Sequence, residues 1–121
     1  MDRHALIRRI DEEFRVTGEQ LWEDAPDCLV FRNPNSKKWF AILMDVDRRR
    51  LGLSGEGVTD VVNVKSDPLL IGSLLHNSGY LPAYHMNKRT WISIRLDDAA
   101  PREEEILDLL HLSYDLVDRK K

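Results

Sequence analysis

Residues 28–46, Cys28-Leu29-Val30-Phe31-Arg32-Asn33-Pro34-Asn35-Ser36-Lys37-Lys38-Trp39-Phe40-Ala41-Ile42-Leu43-Met44-Asp45-Val46, decide the fold. Two apolar runs flank the turn-forming Asn33-Pro34-Asn35-Ser36, and strand-like runs joined by so short a connection read as a hairpin. The predicted strands are Cys28 to Arg32 and Lys38 to Val46. In the second, Trp39 to Met44 is apolar on both parities. That pattern predicts a central strand with both faces at least partly covered. Strands linked this tightly cannot run parallel, because a parallel crossover takes a dozen or more residues.

Downstream, Arg48-Arg49-Arg50 makes a basic turn, Leu51-Gly52-Leu53 is an optional short strand and Ser54-Gly55-Glu56-Gly57 is a loop. Val58 to Lys65 is rich in β-branched residues and reads as another strand. Ser66-Asp67-Pro68 offers a cap and a first-turn proline for a helix whose apolar face is Leu70, Ile71, Leu74 and Leu75. Asn77-Ser78-Gly79 ends that helix, and Tyr80 to Met86 is extended or turned around Pro82. Thr90 to Leu96 alternates, with Ile92, Ile94 and Leu96 on one side and Trp91, Ser93 and Arg95 on the other. Pro101 opens a last helix with Glu103, Glu104 and Glu105 in its first turn and Arg119, Lys120 and Lys121 beyond its end. Both placements suit the helix dipole. Its predicted buried side is Ile106, Leu109, Leu110, Ser113, Leu116 and Val117.

Upstream, residues 2–17 carry the apolar stripe Leu6, Ile7, Ile10 and Phe14, with Asp2 as the cap and Gly18 as the stop. Residues 19–27 are acidic and irregular, and Pro26 prevents helix continuation. The order α-β-β-(β)-β-α-β-α predicts an α+β two-layer sandwich, an antiparallel sheet with helices packed on one face. Residues 1–121 are expected to form a single domain.

Eighteen basic and twenty-one acidic side chains leave a net charge of −3, which excludes a strongly basic nucleic-acid-coating protein but allows a local basic patch. The charge is segregated. Residues 31–95 hold ten basic against five acidic side chains, whereas residues 1–30 and 96–121 each hold four against eight. The single cysteine, Cys28, cannot form an internal disulfide and has no partner for a zinc site. It is expected in the core. No stretch is apolar for the ~20 residues a membrane span needs, and no signal peptide is visible at the N-terminus. The default expectation is a cytoplasmic protein, monomeric or weakly dimeric.

If the helices cover one sheet face, the positive potential falls on the other. The candidates for a nucleic-acid face are Lys65, Lys88, Arg89, Trp91 and Arg95, with Arg48, Arg49 and Arg50 as phosphate contacts. Cations neutralise phosphates, and an exposed Trp91 would stack a base. His85, Asn87 and Lys88 form a second constellation, able to hold a phosphate or carboxylate at a turn, or to serve that turn's own backbone. No nucleophile beside an activating base stands out, so no catalytic residue is assigned and an enzyme is not expected. No motif asks for a cofactor. His111 shares a helix side with Asp108 and Asp115, but a solvated ion-pair face is the simpler reading. Arg8, Arg9 and Arg15 interleave with the acidic residues 11–27, so no metal site is expected.

Three stretches carry a resemblance: Lys38-Trp39-Phe40-Ala41, Val61 to Pro68, and His85-Met86-Asn87-Lys88 running on to Trp91-Ile92-Ser93-Ile94-Arg95-Leu96-Asp97. With Ser113-Tyr114 in the last helix, they resemble the YjbR/MmcQ family of small bacterial proteins over roughly residues 5–117. The resemblance implies a frataxin-like α+β fold and a DNA-binding role. It carries the positions of His85, Asn87, Lys88 and Trp91, but no reaction. The expected function is therefore a non-enzymatic domain that binds DNA or another nucleic acid through its basic surface. The alternatives are a protein–protein adaptor using an exposed sheet edge or an apolar patch, or a small anionic ligand held around His85, Asn87 and Lys88. An enclosed pocket lined by those three side chains would favour the last reading, and a flat surface would count against it.

Overall fold

Aspartates set the starts of the first two helices in the computed structural model, which describes Met1–Asp118. The Asp2 carboxylate accepts the Ala5 N–H and opens α1 (Arg3–Phe14), supplying a partner to an otherwise orphaned helix N–H. The helix ends earlier than expected. Arg15, not Gly18, takes the left-handed closing conformation, at φ 58°. Gly18 has another role: a Cβ there would lie 3.0 Å from the Phe31 ring, so its lack of a side chain lets the chain pass over that ring. Asp67 caps α2 (Pro68–Leu74) by accepting the Leu69 N–H, with Pro68 in the first turn.

The strands are β1 (Leu29–Arg32), β2 (Trp39–Asp47), β3 (Val58–Lys65), β4 (Tyr80–Pro82) and β5 (Trp91–Arg95). They form one antiparallel sheet in the order β1-β2-β3-β5-β4. The optional strand at Leu51-Gly52-Leu53 does not form. Arg48–Leu51 is instead a 3-10 turn, closed by Gly52 at φ 75°. The extra strand is β4, which joins the sheet at an edge. Pro82 is tolerated there because an edge residue need not donate to a second neighbour.

The hairpin carries a bulge. Phe31 pairs with Ala41 but Arg32 pairs with Trp39, so Phe40 has no partner in β1. Phe40 and Ala41 consequently both join the helix-side core, which breaks the strict alternation of a strand. Ser113 of α3 (Glu103–Val117) uses the disruption. Its hydroxyl donates to the Phe40 carbonyl at 2.7 Å and accepts the Lys65 N–H at 2.9 Å. One buried side chain thus ties α3 to two strands.

The three helices cover one face. Leu6 and Ile10 of α1, Ile71 and Leu74 of α2, and Ile106, Leu109 and Leu110 of α3 pack on Leu43, Val62, Val64, Ile92 and Ile94. Leu116, expected on the buried side of α3, is 49% exposed, whereas Val117 is buried as expected. Arg119, Lys120 and Lys121 lie outside the described residues. No helix among the described residues is long and apolar enough to cross a membrane.

Candidate functional site

Period-two alternation sends Ile42, Met44, Val61, Asn63, Trp91 and Ser93 to the face opposite the helices. That face is not bare. Ala83–Met86 crosses it as a strap, and the loop of residues 19–28 covers its β1 end. Cys28, Val30, Ile42, Ala83 and Trp91 form a second buried cluster there, with Ala25, Trp39, Met44 and Met86 packed against it.

Two buried polar side chains pin the strap. Asn63 donates to the Tyr84 carbonyl at 3.0 Å, and Ser93 Oγ accepts the Tyr84 N–H at 3.0 Å. Ser93 Oγ in turn donates to Asn63 Oδ1. Asn63 and Ser93 are fully buried and stand opposite each other on β3 and β5. Buried polar groups that satisfy one another in this way hold a segment in one place.

The strap leaves a cleft on either side. One, of about 340 Å³, is lined by Trp22, Ala25, Cys28, Trp39, Ile42, Met44, Asp45, His85 and Met86. The other, of about 370 Å³, is lined by Arg50, Leu51, Leu81, Pro82, Ala83, Tyr84, His85 and Lys88. His85 belongs to both and holds a left-handed backbone at φ 60°. Its ring lies 4.1 Å from that of Tyr84, centre to centre, and Arg50 donates to the Tyr84 hydroxyl at 3.4 Å.

The basic residues do not gather as one surface. Arg95 grips Asp97 through Nε and Nη2, the latter at 2.8 Å, and Arg48 reaches the same carboxylate at 3.3 Å. Arg48 also donates to Thr59 Oγ1 and the Ser54 carbonyl. Burial pushes the Asp97 carboxyl upward, but the Arg95 hydrogen bonds, the Ala99 N–H and Arg48 outweigh it and hold it below its ordinary value. Arg49 pairs with Asp47 at 3.5 Å. Lys65 ends β3 beside Trp91, whereas Arg48 follows Asp47, which pairs with the first residue of β3. They therefore stand at opposite ends of the sheet. Trp91 is only 9% exposed, which corrects the idea of a stacking platform on β5. Asn87 serves its own turn: its Oδ1 accepts the Arg89 N–H at 2.9 Å. Arg50, Lys88 and Arg89 are exposed and make no ion pair among the described residues. His111 turns toward Glu13, at 2.9 Å.

Of the residues singled out in the sequence, the structure brings His85, Lys88 and Arg50 to one cleft. Tyr84 and the apolar lining were not singled out as site residues. Trp22, Trp39, Met44 and Met86 come from three segments with no shared local pattern. The usable signal was β2, apolar on both parities while the helices can cover only one face. Cys28 is the small core residue expected, with burial, and secondarily the nearby Asp45 charge, raising its thiol pKa.

Known proteins resemble the whole of this architecture. The uncharacterized protein YyaQ of Bacillus subtilis (strain 168) is 34% identical over 117 residues, which are 97% of this chain and 98% of that one. A crystal structure of a Pseudomonas syringae protein superposes with a TM-score of 0.93 at 36% identity, covering 98% of this chain and all of the other. The Deinococcus radiodurans protein DR2400 shares the fold, with a TM-score of 0.67 at 23% identity over 99% of this chain and 81% of that one. The sequence pattern of the YjbR family matches residues 14–116, from the end of α1 through nearly all of α3. With the strap, the hairpin and the Ser113 tie all inside that span, the chain belongs to the YjbR family.

Proposed function

We propose that this chain is a non-enzymatic binding domain that takes a small anionic ligand in the cleft between Arg50, Tyr84, His85 and Lys88. The carrying observation is convergence without an ion pair. Two cationic side chains, an imidazole and a phenol line one cleft of about 370 Å³, and no acidic residue lines it. That volume is within the range of small-ligand sites. The lining offers charge and hydrogen-bond donors, the groups that hold an anion.

Nuclear magnetic resonance titration with inorganic pyrophosphate at low salt tests this reading. Amide shifts should concentrate at Arg50, Leu51 and residues 84–88. Arg50→Glu and Lys88→Glu should each weaken binding about tenfold, the scale of one charge-assisted contact. No shifts at millimolar pyrophosphate, or shifts indifferent to both variants, would overturn it.

A nucleic acid is the second reading. The neighbours Lys88 and Arg89 favour it, because both are exposed and free of carboxylate partners among the described residues. If it holds, single-stranded oligonucleotides bind far more tightly than pyrophosphate, with affinity falling steeply as salt rises. Strand addition has less to use: the outer edge at β4 is three residues long and includes Pro82.

A further inference from the structure

We propose that the ligand is an aromatic anion, its charged group in the Arg50–Lys88 cleft and its flat apolar body in the cleft across His85. This rests on the anion-binding reading above and names the rest of the molecule that such a site would take.

The apolar cleft is built for a body of that kind. Trp22 and Trp39 meet edge to face, with ring centres 6.1 Å apart at 87°. Such a pair presents a ring face and a ring edge at right angles, the two surfaces against which aromatic rings stack. Met44 and Met86 complete the walls, and thioethers adapt to irregular shapes and make favourable contacts with rings. Ile42 and Cys28 are buried against it. At about 340 Å³ it suits one or two fused rings, and it is too small for a folded partner's surface.

Its chemistry is complementary to that of its neighbour. The only ionisable lining groups besides the Cys28 thiol are Asp45 and His85. Asp45 is a carboxylate, so the anionic end of a ligand is disfavoured on that side. Arg32 stands over the Trp39 ring, 6.0 Å from its centre, but it is paired with Glu19; the cations that line a cleft, Arg50 and Lys88, stand across the strap. His85 is the one residue common to both clefts, which orients an amphipathic ligand in a single direction. The strap beneath it is fixed by the Asn63–Ser93 pair, so the two halves of the site keep their spacing.

The test uses the full chain and three probes: 1-naphthyl phosphate, inorganic phosphate and 1-naphthol. Binding is read by amide shifts and by quenching of tryptophan fluorescence. Naphthyl phosphate should bind at least about tenfold more tightly than either half, because the two contact sets add on one molecule. Ala25→Leu, which narrows the apolar cleft, should reduce its affinity to that of inorganic phosphate while phosphate binding stays unchanged. Trp22→Ala, at a residue already 40% exposed, should act in the same direction without threatening the fold. If inorganic phosphate shifts residues 84–88 but naphthyl phosphate binds no more tightly, the aromatic assignment falls and the anion site stands. If naphthol binds and neither phosphate compound gains from Arg50 or Lys88, the anion site falls and takes this proposal with it.

Discussion

The two faces of this sheet are closed by different means. On the helix side, Leu43, Val62, Ile92 and Ile94 interdigitate with side chains from three helices, and Ser113 joins helix to strand. On the other side, Val30 and Val61 are equally buried. The cover there, however, is a loop and a strap, the strap held by Asn63 and Ser93. Regular elements fill the space they enclose, because side chains mesh at crystal-like density. Irregular segments end where their hydrogen bonds end and leave volume beside them. That leftover volume is where the two clefts lie.

The largest expected contrast is between adjacent residues of β2. Leu43→Ala, on the helix side, should cost about 3 kcal/mol by urea denaturation, the usual price of a truncated core leucine. Met44→Ala, half-buried beside a cleft, should cost about 1 kcal/mol, since the removed atoms already border open space. Equal losses would break the contrast. Next comes the tie beneath the strap. Asn63→Ala removes the donor to the Tyr84 carbonyl and should cost about 2 kcal/mol. Hydrogen exchange of the Tyr84 amide should accelerate well beyond that of the helix-side strands. If it does not, the strap is held by packing instead.

A smaller effect is expected at Asp97. Its carboxyl titrates lower in the folded state than its ordinary value of 3.8. Its contribution is therefore complete above that value and is lost as pH falls through the lower folded-state value. Between neutral pH and pH 3, the urea midpoint of the parent should drop more than that of Asp97→Asn. Parallel curves would show that the Arg95 and Arg48 bonds to Asp97 add nothing net. The smallest effect belongs to the exposed Arg49–Asp47 pair, whose guanidinium side chain is 79% exposed. Arg49→Ala should leave stability unchanged within measurement and weaken any anion binding only slightly.

The helix side was legible in the sequence because its signals are local. Ile92, Ile94 and Leu96 announce one face of a strand, Asp67-Pro68 announces a helix start, and all of these hold. The stop at Arg15 was not legible, since an arginine in a left-handed conformation has no sequence signature comparable to glycine's. β4 was read only as an extended stretch because three residues around a proline carry little periodicity. The site was half legible. His85 and Lys88 stood out by their spacing, but the pairing of Arg48 with Asp97 depends on where β5 lies in the sheet. Charge sorting along the chain was therefore a poor guide to charge sorting in space.

The conformation of His85 has a consequence for how this protein trades robustness against recognition. A left-handed backbone costs a side-chain-bearing residue about 1–2 kcal/mol, and glycine would relieve that strain at an unfolded-state entropy cost of about 0.5–1 kcal/mol. His85→Gly should accordingly fold as well as the parent, or slightly better, and fail to hold a ligand. The imidazole packs on the Tyr84 ring, and under the proposed function its larger use is toward a molecule arriving from solution.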